Sequence, residues 1–367
     1  MSHRFLASAS GLTIMFATAL LAPAPVAAQT APSATRTAAP AAGTTPWTLQ
    51  RTADGRPDLQ GVWDFRTITP LERPVELETK AFFTEEEAAN FEKQENRRQN
   101  RDLSDAERGN VLYPAGGVSP YNEVWYDRGN KVVGSKRTSL IVDPPNGRLP
   151  PLTAEGQKTA AVRAAWQHDN STGRTHADSW EDRPLQERCI LGLNAGPPMT
   201  PGPYNNNFQL FQTPDNVVIL TEMVHDARVV PLDGRQHLGI RQWKGDSRGR
   251  WEGDTLIVET TNFRRETSLP GSSASTRLVE RFTRTDAKTL LYEFTVEDPS
   301  MWTKPWTAVI PMSKSEEPIY EFACHEGNYA MAGILGGARS QEAQGIKPSM
   351  GPGIFGTPIP TKGKPGE

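Results

Sequence analysis

From Asn205 onward the chain breaks into short runs of alternating apolar and polar residues separated by turn formers, and this rhythm constrains the fold more than any other feature. "NVVILTEMVH", "ARVVPL", "GIRQW", "DTLIVETTNF", "RLVERFTR", "TLLYEFTVED", "WTAVIPM" and "IYEFACH" supply about eight strands in roughly 120 residues, the spacing of an antiparallel meander. Successive strand side chains point to opposite faces, so Leu290, Tyr292, Phe294 and Val296 share one face and Glu293, Thr295 and Glu297 the other. One face is packed and the other wet. About eight strands can remove their edges by closing on themselves, leaving room inside for side chains or one small ligand. The expected fold is therefore mainly β, an antiparallel up-and-down barrel spanning 201–340, with a two-sheet sandwich as the alternative.

The preceding stretch, 47–200, reads as a mixed α/β extension that wraps or precedes the barrel. "GVWDF" is a short strand from Gly61 to Phe65, and Thr84 to Glu87 form a capping box for a helix running to about Asp102. A strand from Ser139 to Asp143 is stopped by Pro144 and Pro145. Thr153 then caps a helix to about Gln167 carrying Ala161, Val162, Ala165 and Trp166. There is no βαβ alternation, no Gly-x-Gly-x-x-Gly and no Walker sequence, which argues against a nucleotide-binding α/β fold.

The ends differ in composition from this central part. The basic start, the apolar segment Phe5–Leu21 and Val26-Ala27-Ala28 together read as a secretory signal over 1–28. Residues 29–46 are a disordered Ala/Pro/Thr leader and 341–367 a Gly/Pro-rich tail. No later window has the roughly 18 apolar residues of an integral membrane span. The formal charge of -3, with both signs interspersed, offers no basic stripe for nucleic acid. A periplasmic or secreted protein is expected.

Only Cys189 and Cys324 are present, and an even count in an exported chain points to a disulfide. Closing a loop of about 135 residues would restrict the unfolded chain by roughly 5 kcal/mol on entropic grounds. The sharper alternative is a Cys324 thiolate. His325 is badly placed to activate it, because adjacent strand residues face opposite ways; His225 or His237 would have to serve.

"GRPDLQGVWDF", "RTSLIVDPP", "ERCILG", "GPPMTPGPYNNN", "HDARVVPLDGR", "GDSRGRWEGDTLIVETTNF" and "YEFACHEGNY" resemble an uncharacterised family of secreted bacterial proteins over about Gly55 to Arg339. That resemblance implies export and carries no activity with it. Gly61-x-Trp63 at the head of a β-rich chain also resembles the lipocalin-like (calycin) barrels, which implies an apolar ligand held inside.

The densest polar cluster is Glu222 to His237. His225 beside Asp226, with His237 returned by a turn at Asp233-Gly234, suits acid–base chemistry. Glu326, swung round by Gly327-Asn328, is a fourth catalytic candidate. Arg228 and Arg241 suit an anionic ligand group, while Tyr204, Asn206, Glu222 and His325 complete the ligand-binding candidates. The bland reading is a set of structural hydrogen bonds at a rim. Trp243, Trp251, Trp302 and Trp306 read as core before they read as sugar platforms. No cofactor motif occurs. The leading expectation is a secreted small-molecule-binding barrel, with or without cofactor-independent isomerase, lyase or hydratase chemistry. One alternative is a metal-dependent hydrolase or oxygenase using His225, His237 and His325, although no His-x-His or His-x-x-x-His spacing supports it. The other is a non-catalytic envelope interaction module.

Overall fold

The computed structural model describes residues 47–77, 79–103, 122–171, 177–192, 194–264 and 272–345. The expected signal, leader and most of the tail lie outside them, as do the side chains of Ala165 and Trp166. The fold is mainly β, built on a ten-stranded sheet whose paired strands all run antiparallel.

Three strands form a first meander: β3 (Asn207–Gln212), β4 (Asn216–Thr221) and β5 (Asp226–Pro231). Five form a second: β6 (Asp246–Glu252), β7 (Thr255–Thr261), β8 (Arg277–Arg284), β9 (Thr289–Glu297) and β10 (Trp306–Ser315). Between them lies β1 (Gly61–Asp64), pairing β3 on one side and β10 on the other, while β2 (Ile141–Asp143) pairs the start of β10. The N-terminal stretch thus supplies a central strand of the sheet.

Two expected strands are absent. "GIRQW" makes only an isolated bridge, Gln242 to Phe263, within the connection between β5 and β6. "IYEFACH" leaves the sheet because β10 is already flanked by β9 and β1. Polar-rich "DSRGRWE" forms β6 instead, at an edge where half its groups face water.

The sheet is curled but not closed, which corrects the expected barrel. Its edges, β5 and β6, approach one another without forming a ladder. Gly249 permits the approach, since a Cβ there would lie 2.6 Å from Leu232 and 2.9 Å from Val230. The inside of the curl is filled rather than hollow. Alternation along β8 and β9 buries Leu278, Phe282, Leu290, Tyr292, Phe294 and Val296. The rings of Phe208, Phe282, Tyr292, Phe294, Trp306 and Trp302 follow one another at centroid separations of 4.9 to 6.5 Å. Such rings dominate core energetics.

The helices lie outside the sheet. α1 (Glu85–Gln99) starts at Thr84 with the expected capping box, and α2 (Ala154–Ser171) starts after Thr153, whose hydroxyl accepts from Gly156 N–H at 2.9 Å. A third helix, α3 (Ala330–Ala343), follows the second cysteine, where the sequence carried no helix signal.

Asp298, just past β9 and 2 % exposed, ties the strand ends together. It accepts from the Ser273 backbone N–H at 2.6 Å and from the hydroxyls of Thr276 and Ser300 at 2.7 Å each. Burial pushes its carboxyl up, but the bonds from Ser300, Thr276 and Ser273 together outweigh burial and hold it below the ordinary value. Asp298→Ala strands those donors and should cost about 1–3 kcal/mol at neutral pH. A carboxyl with a depressed folded pKa stabilises above its unfolded value and loses that effect as pH falls through the folded one. In urea titrations, the gap between wild type and Asp298→Ala should therefore close below about pH 4; a gap constant down to pH 2 would remove this assignment.

Candidate functional site

The sequence-marked residues occupy separate surroundings. Between β4 and β5 the backbone turns through Val224 at φ 64° and His225 at φ 52°. Positive φ is a true outlier for a β-branched residue. That turn buries Met223 against Gly192, where no Cβ would fit, and leaves the His225 ring exposed. Asp226 accepts an ion pair from Lys244 at 2.6 Å. Burial draws the Lys244 ammonium below its ordinary value, and Asp226 only partly restores it.

His237 sits between two carboxylates, with Nδ1 3.4 Å from Asp246 and Nε2 3.7 Å from Glu259. Both have stronger partners in Arg248 and Arg277, and the latter holds Glu259 below the usual carboxylate range. Glu326 is exposed. No side-chain hydrogen bond or ion pair joins any two of His225, Asp226, His237 and Glu326 among the described residues. Nor do His225, His237 and His325 form a group able to hold a metal; among those residues no three His, Cys, Asp or Glu side chains do.

The ligand-binding candidates are mostly engaged in holding the fold. Arg228 is buried and forks onto Glu280 of β8 through both terminal nitrogens, the Nη2 bond measuring 2.9 Å. Tyr292 donates to the same carboxylate at 2.8 Å and accepts from Met199 N–H at 3.1 Å. Burial opposes the Arg228 charge, and Glu280 more than offsets it; burial and Glu280 both push the Tyr292 hydroxyl up. Arg241 donates to the carbonyls of Phe263 and Ala274 at 2.9 and 2.6 Å. Asn206, fully buried, accepts from Gly202 N–H and donates to the carbonyls of Asp127 and Gly202. Glu222 is buried and accepts from Asn207 at 2.9 Å, and the Tyr204 carbonyl accepts from Asn194. These bonds are the bland reading of the polar cluster.

His325 is the exception, because it lines a groove. Cys189 and Cys324 are joined, with Cα atoms 5.7 Å apart, so the segment after β10 is brought back against Trp180–Ile190. Together they bound a groove of about 300 Å³ lined by Trp180, Arg188, Ile190, His325, Asn328 and Met331, with Glu187 and Cys189. Asn328 donates to the Cys189 sulfur at 3.3 Å, and Arg339 of α3 donates to the carbonyls of Ala177 and Asp178, the latter at 3.0 Å. Arg188 lies over the Trp180 ring at 4.7 Å from its centroid, with Trp243 at 5.8 Å. Glu187 is taken by Arg183, whose Nε donates to it at 2.9 Å.

A larger groove of about 520 Å³ runs past Asp64, Arg66, Glu123, Tyr126, Asp127 and Arg128. Its charges are internally matched: Arg66 pairs with Asp64 and Asp127, Arg128 with Glu123, and Lys131 with Glu92. Self-paired charges at a surface contribute little, and Arg66, Arg128 and Lys131 each already have a carboxylate partner. The groove beside the disulfide is therefore the candidate site. Trp180 and Arg188 were not singled out in the sequence; the available signal was an Arg immediately preceding a bridging cysteine.

No protein family, curated protein or solved structure matches the chain.

Proposed function

We propose that the protein binds a small, partly apolar molecule in the groove formed around the Cys189–Cys324 bridge. The observation that carries this reading is the convergence of apolar walls, Trp180, Ile190 and Met331, with polar groups on Arg188, His325 and Asn328 in one cleft of about 300 Å³. Small-molecule sites have this composition, and the volume is at the lower end of their range. The calycin-like reading is retained only as a curled sheet: its interior is occupied by aromatic rings, so the ligand sits outside the curl. Placement in the periplasm or beyond agrees with this reading, because the bridge that builds the groove forms in oxidising compartments. Binding is the proposed role, since the acid–base candidates have separate surroundings.

The test uses the Met331 methyl and the His325 ring as NMR reporters against naphthalene-sized compounds, neutral and anionic. Binding should move both signals and saturate, and in Met331→Trp, which fills the cleft and removes the methyl reporter, the His325 signal should no longer move. Signals that stay fixed with every compound, or shifts unaffected by Met331→Trp, would remove the groove as the site.

A further inference from the structure

We infer that the groove selects ligands bearing an oxyanion, a carboxylate or phosphate, through the guanidinium of Arg188; this rests on the groove reading above. Among the described residues, Arg188 lacks the carboxylate partner that many arginines of the chain have. Arg66, Arg128, Arg183, Arg228 and Arg277 each face a carboxylate. Arg188 forms no ion pair with any carboxylate among the described residues, and its Nε is buried with no hydrogen-bond acceptor. Its neighbours are aromatic: Trp180 at 4.7 Å and Trp243 at 5.8 Å, the latter also lying under Arg264 at 4.1 Å.

Ring contacts satisfy the flat face of a guanidinium and leave its N–H edge for an acceptor, since all five donors lie in the plane. A planar fork suits two oxygens of one carboxylate or phosphate. The acidic group in the lining, Glu187, is already held by Arg183, so it does not compete for Arg188 or repel an incoming anion at full strength. Asn328 and His325 stand in the same lining and can add N–H donors, while Ile190 and Met331 cover an apolar remainder. The groove thus fits an apolar body carrying one negative head.

A purely structural role for Arg188, bracing two indoles, makes a different forecast: ligand charge would not matter. The probes are 2-naphthoate, 1-naphthyl phosphate and the neutral isostere 2-naphthamide, titrated into the full disulfide-bonded protein with the Met331 and His325 signals as readout. At least one anion should bind about tenfold or more tightly than the amide, the scale of a charge-assisted pair of hydrogen bonds. The two anions separate carboxylate from phosphate preference. Arg188→Gln should erase the preference, and Arg188→Lys should keep part of it, because charge remains while the fork is lost. Equal binding of anions and amide overturns the inference while the groove reading survives; no binding by any probe overturns both. Where Arg188→Gln does not fold, the wild-type comparison still overturns the inference if anions and amide bind equally, and Arg188→Lys carries the assignment to the guanidinium.

Discussion

Glu280→Gln should destabilise the protein by about 3–5 kcal/mol, although the two side chains are nearly the same size, because it leaves the buried Arg228 guanidinium without its counter-charge. Arg228 and Glu280 are 8 % and 0 % exposed as side chains, so water cannot take over the lost interaction. Tyr292 is affected as well, since its hydroxyl donates to the same carboxylate. For a chain of this size the loss should appear as a fall in Tm of roughly 5–9 °C. The double variant Arg228→Met with Glu280→Leu removes both charges and should recover much of that loss, since well-packed apolar replacements of buried ion pairs are often neutral or stabilising. Urea unfolding followed by tryptophan fluorescence checks both. A single variant within 1 kcal/mol of wild type, or a double variant worse than the single, would show that the pair does not govern this part of the core.

Opening the disulfide should have the opposite profile, with a small effect on global stability and a large one on binding. The bridge spans 135 residues, and the entropic argument sets a ceiling of about 5 kcal/mol on its contribution. That ceiling applies only if the segment after β10 stays docked when the bridge is open. Between Ser315 and Gly345 the docking contacts are sparse: Asn328 to the Cys189 sulfur, Arg339 to two carbonyls, and the buried Ala338. Releasing a weakly packed segment costs less than unfolding the sheet, so local release comes first. The double variant Cys189→Ser with Cys324→Ser should therefore melt within a few degrees of wild type, by about 1–2 kcal/mol, yet bind groove ligands at least tenfold more weakly because His325, Asn328 and Met331 leave the lining. A melting shift corresponding to the full entropic value, with binding unchanged, would contradict this account.

Much of the fold was legible in the sequence where the signal is local. Period-two patterning placed Leu290, Tyr292, Phe294 and Val296 on the buried face, the capping box at Thr84 opened α1, and the cysteine pair joined. Partner choice was not legible. Nothing local in "GVWDF" says that its neighbours are β3 and β10, and "IYEFACH" has good strand composition but no free ladder position. The polar cluster misled for a related reason: a charged residue on the inner face of an alternating strand, as Glu280 is between Leu278 and Phe282, requires a buried partner, and Arg228 supplies it. Counting ionisable groups along one hairpin finds such pairs as readily as it finds a site. The groove sets Trp180 and Arg188, neighbours on one segment, against His325, which is distant in sequence and reaches them through the bridge.

The position of β1 also has a consequence for how the chain comes together in time. Gly61–Asp64 is synthesised early, yet it registers with Phe208 on one side and Ser315 on the other, so the two meanders cannot be sewn into one sheet until nearly the last strand has left the ribosome. Pairings so remote in sequence pay their loop-closure entropy before any contact repays it, which makes assembly slow. Until then the nascent polypeptide carries open strand edges, and any helper that shields them has to wait for Ser315.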